Sequence, residues 1–140
     1  EELISLPSDF KTLVKKRHSI ADAAPLSYLG KRRIEFEDIC QWRIGYCQSG
    51  EYAGYVIIPS FDASGRLNYF VSRAYDGAWP KYKNPVYGKD MIFNELDINW
   101  NAREVVLVEG VFDAIVAGAN AIPLLGSTLS EGSVLFSKIA

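Results

Sequence analysis

Val105-Val106-Leu107-Val108-Glu109-Gly110-Val111-Phe112-Asp113 opens on a continuous apolar run and breaks at Glu109-Gly110 into a helical segment, Val111 to Ala117. The run is what a strand buried on both faces of a parallel sheet requires. Ala121 to Leu125 is a second apolar run and Gly126-Ser127-Thr128 a second loop, after which Ser130 is placed to cap a helix still running at Ile139-Ala140. The expected order is strand, helix, strand, helix. A parallel sheet of two strands cannot cover both of its faces, so residues 101–140 read as the first half of an α/β domain in a fragment of a longer chain. Glu1, where an initiating methionine would stand, points the same way.

Residues 1–100 have a different pattern, and the whole is expected to be α+β. Ser8 or Asp9 offers a cap after Pro7, and Phe10, Leu13 and Val14 follow at helical spacing, which predicts an entry helix. Pro25 to Leu29 reads as a short helix closed by Gly30, followed by the basic triplet Lys31-Arg32-Arg33, and a second short helix carries Phe36, Ile39 and Cys40. Tyr55 to Pro59 and Arg66 to Tyr75 are β-rich runs joined by Asp62-Ala63-Ser64-Gly65, a hairpin. Alternation along its second strand puts Arg73 on one face with Leu67, Tyr69, Val71 and Tyr75. Asp76 to Asp90 mixes prolines and glycines with lysines and tyrosines, the composition of a structured loop. Met91 to Trp100 has no clear period.

Composition narrows the function. The 140 residues are 49% hydrophobic, enough for a real core, and contain no apolar run of about 18 residues that would span a bilayer and no export leader, so a cytoplasmic chain without a membrane partner is expected. Cys40 and Cys47 suit neither a disulfide framework nor a zinc ribbon, and read as reduced thiols. The lone His18 leaves no Ser-His-Asp or Cys-His arrangement. A net charge of −2 gives no overall cationic field, so any nucleic-acid contact must be local. Between Lys11 and Arg33 there are seven Lys or Arg against one acid, Asp22.

Three places can carry chemistry. Glu109 leaves the carboxyl end of a strand at the mouth of a βα loop, where open α/β sheets hold ligands; equally, a Glu beside a helix start gains from the dipole alone. Asp113 could bond within that loop or be solvated, and Gly126-Ser127-Thr128 could hold phosphate or shape a rim, without a Walker spacing. Lys81-Tyr82-Lys83-Asn84 offers cations for phosphates and a ring for a base, or is a solvated loop with one packed tyrosine. Arg73, on an aromatic strand face, must snorkel, pair or meet an anion. Trp42, Trp79 and Trp100 read as core or subdomain-contact residues.

In their order, these blocks resemble the RNA polymerase core of DnaG-like primases of bacterial and phage type. Tyr28-Leu29-Gly30-Lys31-Arg32-Arg33-Ile34 is similar to the family's Tyr-Leu and Arg-Gly-Ile step, with Arg33 where glycine is usual, and Arg43-Ile44-Gly45-Tyr46 to its next block. Ile57 to Arg73 resembles the hairpin ending in glycines and arginine, with Val71-Ser72 in place of the glycines. Pro80-Lys81-Tyr82-Lys83-Asn84-Pro85 resembles a Pro-Lys-Tyr-x-Asn block, and Ile92-Phe93-Asn94-Glu95-Leu96 stands where a Leu-Tyr-Gly-Leu-like segment follows. Val108-Glu109-Gly110-Val111-Phe112-Asp113 resembles the Glu-Gly-x-x-Asp opening of a TOPRIM domain, and Leu125 to Thr128 its next loop.

The resemblance implies a primase fragment, with a nucleic-acid-binding subdomain over 1–100 and the first part of TOPRIM over 101–140. The parent would make RNA primers on a single-stranded DNA template from nucleoside triphosphates, beside a replicative helicase. Arg73, Lys81, Tyr82, Lys83 and Asn84 would hold template, primer or nucleotide, and Gly110, Asp113, Gly126, Ser127 and Thr128 would support the TOPRIM loops. Glu109 would be the catalytic, metal-binding glutamate for Mg²⁺ or Mn²⁺, with an Asp-x-Asp pair that this sequence does not contain. The fragment would then bind but not polymerise, and it would hold no zinc. Two other readings stay open: a non-catalytic primase-derived single-strand-binding or interaction module, and a piece of another TOPRIM enzyme, a nuclease or topoisomerase.

Overall fold

The structure, a computed structural model, describes residues 4–86, 90–118, 120–126 and 133–139. A four-stranded antiparallel sheet in the order β1-β2-β3-β4 is built from β1 (Phe10–Thr12), β2 (Gly45–Cys47), β3 (Tyr55–Phe61) and β4 (Leu67–Ala74). The short β1 corrects the expected entry helix. Phe10, Lys11 and Thr12 pair with Cys47, Tyr46 and Gly45, and the Leu13 amide donates to the Ile44 carbonyl at 3.0 Å, so Leu13 is buried while Val14 stays 38% exposed. The helical spacing of Phe10, Leu13 and Val14 is coincidental, because backbone pairing with a strand more than thirty residues away overrides it. Gly45 makes the approach possible, since a Cβ there would lie 2.4 Å from the Lys11 carbonyl oxygen and the Phe10 ring.

Two helices lie between β1 and β2. A 3-10 turn over Ile20–Asp22 leads into α1 (Ala23–Lys31), followed by α2 (Phe36–Trp42). Gly30 lies within α1 and does not close it. Both helices end in the same way. Ile34 donates to Leu29 and Arg33 to Gly30, with Arg33 at φ 66°; Ile44 donates to Ile39 and Arg43 to Cys40, with Arg43 at φ 56°. These are six-to-one and five-to-two closures with an arginine in the left-handed position that glycine fills at lower cost.

The chain divides into two compact units, one of residues 5–59 with 70–85, the other of residues 1–4, 60–69 and 86–140. In the first, Leu29, Ile39, Trp42, Ile44, Tyr46, Val56 and Ile57 are buried, and so is Asp22. Asp22 accepts from the Tyr46 hydroxyl at 2.7 Å, the Ser19 amide at 2.8 Å and Lys15 Nζ at 2.9 Å. His18 is exposed, its ring nitrogen 3.0 Å from the Leu13 carbonyl oxygen.

The second unit holds the hairpin tip, where Asp62 accepts from the amides of Ser64 and Arg66 at 2.9 and 3.0 Å. It also holds a parallel pair, β5 (Val106–Val108) beside β6 (Ala121–Pro123), with α3 (Val111–Ala117) between them and α4 (Val134–Ile139) after them. Its core groups Ile92, Ile98, Ile122 and Leu135, with Trp100, Val105, Leu107 and Leu124 against them. Buried Ser60 donates to Asn68 Oδ1 at 2.6 Å and accepts from the Asn94 amide at 2.7 Å, tying the hairpin to the segment before β5. The apolar run of 105–108 is not buried on both faces: Val106 is 39% exposed and Leu107 and Val108 are half-buried, β6 being the only strand paired with β5 among the described residues. The second run is strand as far as Pro123, and Leu124 and Leu125 extend its backbone bonds to Val108 and Glu109 before Leu125 turns at φ 57°. Ser127, Thr128 and Ser130 lie outside the described residues.

Candidate nucleic-acid interface

After β4 the chain turns back along its own strand. Ala74 donates to the Lys81 carbonyl at 2.8 Å, Lys83 donates to the Ser72 carbonyl at 3.2 Å, and Arg73 and Tyr82 face each other in an antiparallel bridge. Two side chains fix the register. Asn84 Oδ1 accepts from the Ser72 amide at 2.9 Å, and the Ser72 hydroxyl, fully buried, donates to the Lys83 carbonyl. Residues 81–84 therefore form a short strip pinned to β4 within the structured loop expected from composition.

The bridge sets the Arg73 guanidinium over the Tyr82 ring, 5.0 Å from its centroid. Arg73 Nε is buried and has no hydrogen-bond partner among the described residues. A guanidinium N–H withheld from water without an acceptor is costly, and because Arg73 as a residue is only partly covered, a turn of its side chain toward an anion would relieve that cost. Lys83 points elsewhere. Its Nζ donates to the Glu51 carbonyl at 2.8 Å and lies 5.2 Å and 5.6 Å from the rings of Tyr55 and Tyr52, while the Tyr55 hydroxyl donates to the Pro80 carbonyl. Lys81 is exposed, and Tyr82 is 41% exposed. The strip thus presents one exposed cation, one half-covered ring and one arginine with a donor unmet among the described residues. Asn84 and Lys83 hold the strip in place, each with part of its bonding capacity already used.

Tyr52, Tyr55 and Ser72 complete this arrangement, and sequence reading missed their part. Only the repeated aromatics around the 55–58 run hinted at it, and nothing local linked them to Lys83, about thirty residues on. Trp79, expected in a core or a contact between subdomains, is 82% exposed, whereas Trp42 is buried. Nucleophilic chemistry at Cys47 is disfavoured, because burial, with the Asp9 carboxylate adding to it, pushes its thiol up to about 11.

In the other unit, Glu109 follows β5 and is exposed. Its carbonyl accepts from the Leu125 amide at 2.9 Å and that of Val108 accepts from Leu124 at 2.7 Å, so the loops leaving β5 and β6 lie side by side, with Gly126 at φ 79° one residue on. Gly110 is the cap residue of α3, and its amide donates to Asp113 Oδ2 at 3.3 Å. Asp113 therefore organises the turn. Among the described residues no three His, Cys, Asp or Glu side chains gather where they could hold a metal ion. Among the described donors Glu109 contributes a single carboxylate at this turn.

This α+β architecture, an antiparallel sheet with short helices followed by a parallel βαβ pair, is similar in fold to part of the solved primase catalytic cores. It is similar to the solved DnaG primase catalytic domain bound to ssDNA (TM-score 0.71, 21% identity, covering 84% of this chain and 53% of that one). It is also similar to the DnaG catalytic core (TM-score 0.72, 21% identity, 84% and 52%) and to the zinc-binding and RNA polymerase domains of the Aquifex aeolicus primase (TM-score 0.68, 22% identity, 81% and 40%). The chain spans about half the length of the first two of these structures. Neither a protein-family model nor a curated protein sequence matches it. No helix among the described residues is long and apolar enough to cross a membrane.

Proposed function

We propose that the chain is the template- and nucleotide-binding part of a DNA primase, with the strip at 81–84 and Arg73 as the surface that meets single-stranded nucleic acid. The observation that carries this reading is an arginine stacked on an exposed tyrosine, its Nε without a partner among the described residues, beside the exposed Lys81. A phosphate supplies the missing acceptor, a base can cover the ring, and Lys81 adds a second cation. The neighbour solved with single-stranded DNA supports the same ligand class. In the whole protein we assign primer synthesis from nucleoside triphosphates with Mg²⁺ or Mn²⁺, on a template delivered by a replicative helicase. Glu109 would place one carboxylate at the mouth of the β5–α3 turn, and we assign no step to a metal on the donors described.

The test is a salt titration of oligonucleotide binding, read by anisotropy of a labelled single strand. Each phosphate neutralised contributes a slope of about −0.7 in log K against log salt for single strands. Lys81→Ala is expected to weaken binding to all sequences and to make the slope shallower by about 0.7. An unchanged slope would remove Lys81 from the contact. The second reading, a single-strand-binding module without catalysis, is favoured only by the single carboxylate at β5. Primer synthesis by the 140-residue chain with Mg²⁺ and nucleotides would exclude it; binding without synthesis is expected of both.

A further inference from the structure

We propose that Trp79 is a stacking platform for a nucleobase at the edge of the Arg73–Tyr82 surface. The inference rests on the single-strand and nucleotide reading above and adds a residue outside the Pro-Lys-Tyr-x-Asn block. Three observations carry it. Trp79 is 82% exposed, although an indole gains more than almost any side chain from burial. Its backbone is nevertheless held on both sides. The Ala78 amide donates to Asp76 Oδ1 at 3.1 Å, Asp76 packs over Gly54 so closely that a Cβ there would lie 2.8 Å from its carboxylate oxygens, and the Pro80 carbonyl accepts from the Tyr55 hydroxyl. The ring is thus presented to solvent from an anchored turn. Finally, the chain runs from Trp79 directly through Pro80 into Lys81 and into Tyr82 under Arg73, so the residues that follow the indole in sequence are cationic and aromatic. A protein partner would favour an apolar surround, whereas a base with its phosphate matches a ring beside cations.

The base can belong to a single strand or to a nucleoside triphosphate, and indole emission separates the two. Of the three tryptophans, Trp42 is buried and Trp100 half-buried, so quenching by a stacked base should come from Trp79. With the 140-residue chain, oligothymidylate is expected to quench the emission and an abasic strand of equal length to quench it far less. Quenching by oligothymidylate assigns the strand, and quenching by ATP or CTP without a strand assigns the nucleotide. Trp79→Ala should abolish the quenching and weaken binding about fivefold or more, while Trp79→Phe keeps most of the affinity but loses the signal. If Trp79→Ala binds and quenches like wild type while Lys81→Ala and Arg73→Ala weaken binding, the stacking role is wrong and the site stands. If none of the three weakens binding, the site falls with it.

Discussion

Asp22→Ala is expected to destabilise the chain by about 3 kcal/mol, the largest effect of any single substitution we foresee on its folding. Asp22 is fully buried in a segment otherwise rich in lysine and arginine, and takes bonds from the Tyr46 hydroxyl, the Ser19 amide and Lys15. Truncation leaves the buried Tyr46 hydroxyl without its acceptor and frees the Ser19 amide at the start of the 3-10 turn. Lys15, 37% exposed, can return to water, so its loss adds little. Urea unfolding of wild type and variant measures the difference, and Tyr46→Phe should cost less, about 1 kcal/mol, since it removes only one of the bonds.

The same carboxylate sets an acid limit. Burial alone would raise its pKa, but the bonds from Tyr46, Lys15 and Ser19 outweigh that and hold it well below the ordinary carboxylate range. Because the folded value lies below the unfolded one, the contribution is complete above roughly pH 4 and is lost as pH falls toward the folded value. Wild type should therefore lose stability below roughly pH 4 more steeply than Asp22→Ala. Parallel profiles would mean that Asp22 titrates alike in the folded and unfolded chain and sets no acid limit.

Arg73→Ala is expected to weaken single-strand binding about tenfold or more, the largest loss foreseen for function. A hydrogen bond from a guanidinium to phosphate is worth about 1.5–3 kcal/mol, and Arg73 already has its Nε stripped of water with no protein acceptor to lose. The fold should tolerate the change, since the contacts that hold residues 81–84 to β4 run through the backbone and through Ser72 and Asn84. Arg73→Lys separates charge from geometry. It restores the salt slope but only part of the affinity, because an ammonium cannot reproduce the planar fork or its stacking on Tyr82. Wild-type affinity in Arg73→Ala would mean that the arginine only snorkels over its tyrosine.

What could be read from the sequence followed local rules. The hairpin of β3 and β4 and the βαβ pair are visible because alternation, a glycine turn and short apolar runs are local signals, and α2 because its apolar residues fall at helical spacing. β1 was not legible, because its three residues owe their conformation to pairing with β2. Arg33 is instructive. It departs from the glycine of the block it resembles, and its φ of 66° shows why glycine suits that position. For the site, Arg73 and the 81–84 strip were visible as residue types on a strand face and in a basic loop. Their roles were not, since the bonds that occupy Lys83 and Asn84 come from Glu51 and Ser72, and the exposure of Trp79 is a property of the folded turn. Glu109 was found by its position after an apolar run, and the structure keeps it at that turn with a single carboxylate to offer.

Hydrogen–deuterium exchange of the 140-residue chain with and without a short oligothymidylate tests the central claim most directly, because it locates the bound strand without presupposing a residue. We predict slowed exchange in β4 and across residues 80–84, at the amides of Ser72, Ala74 and Lys83 that already join the two. Binding that slows exchange elsewhere and leaves residues 72–84 unchanged would contradict the account.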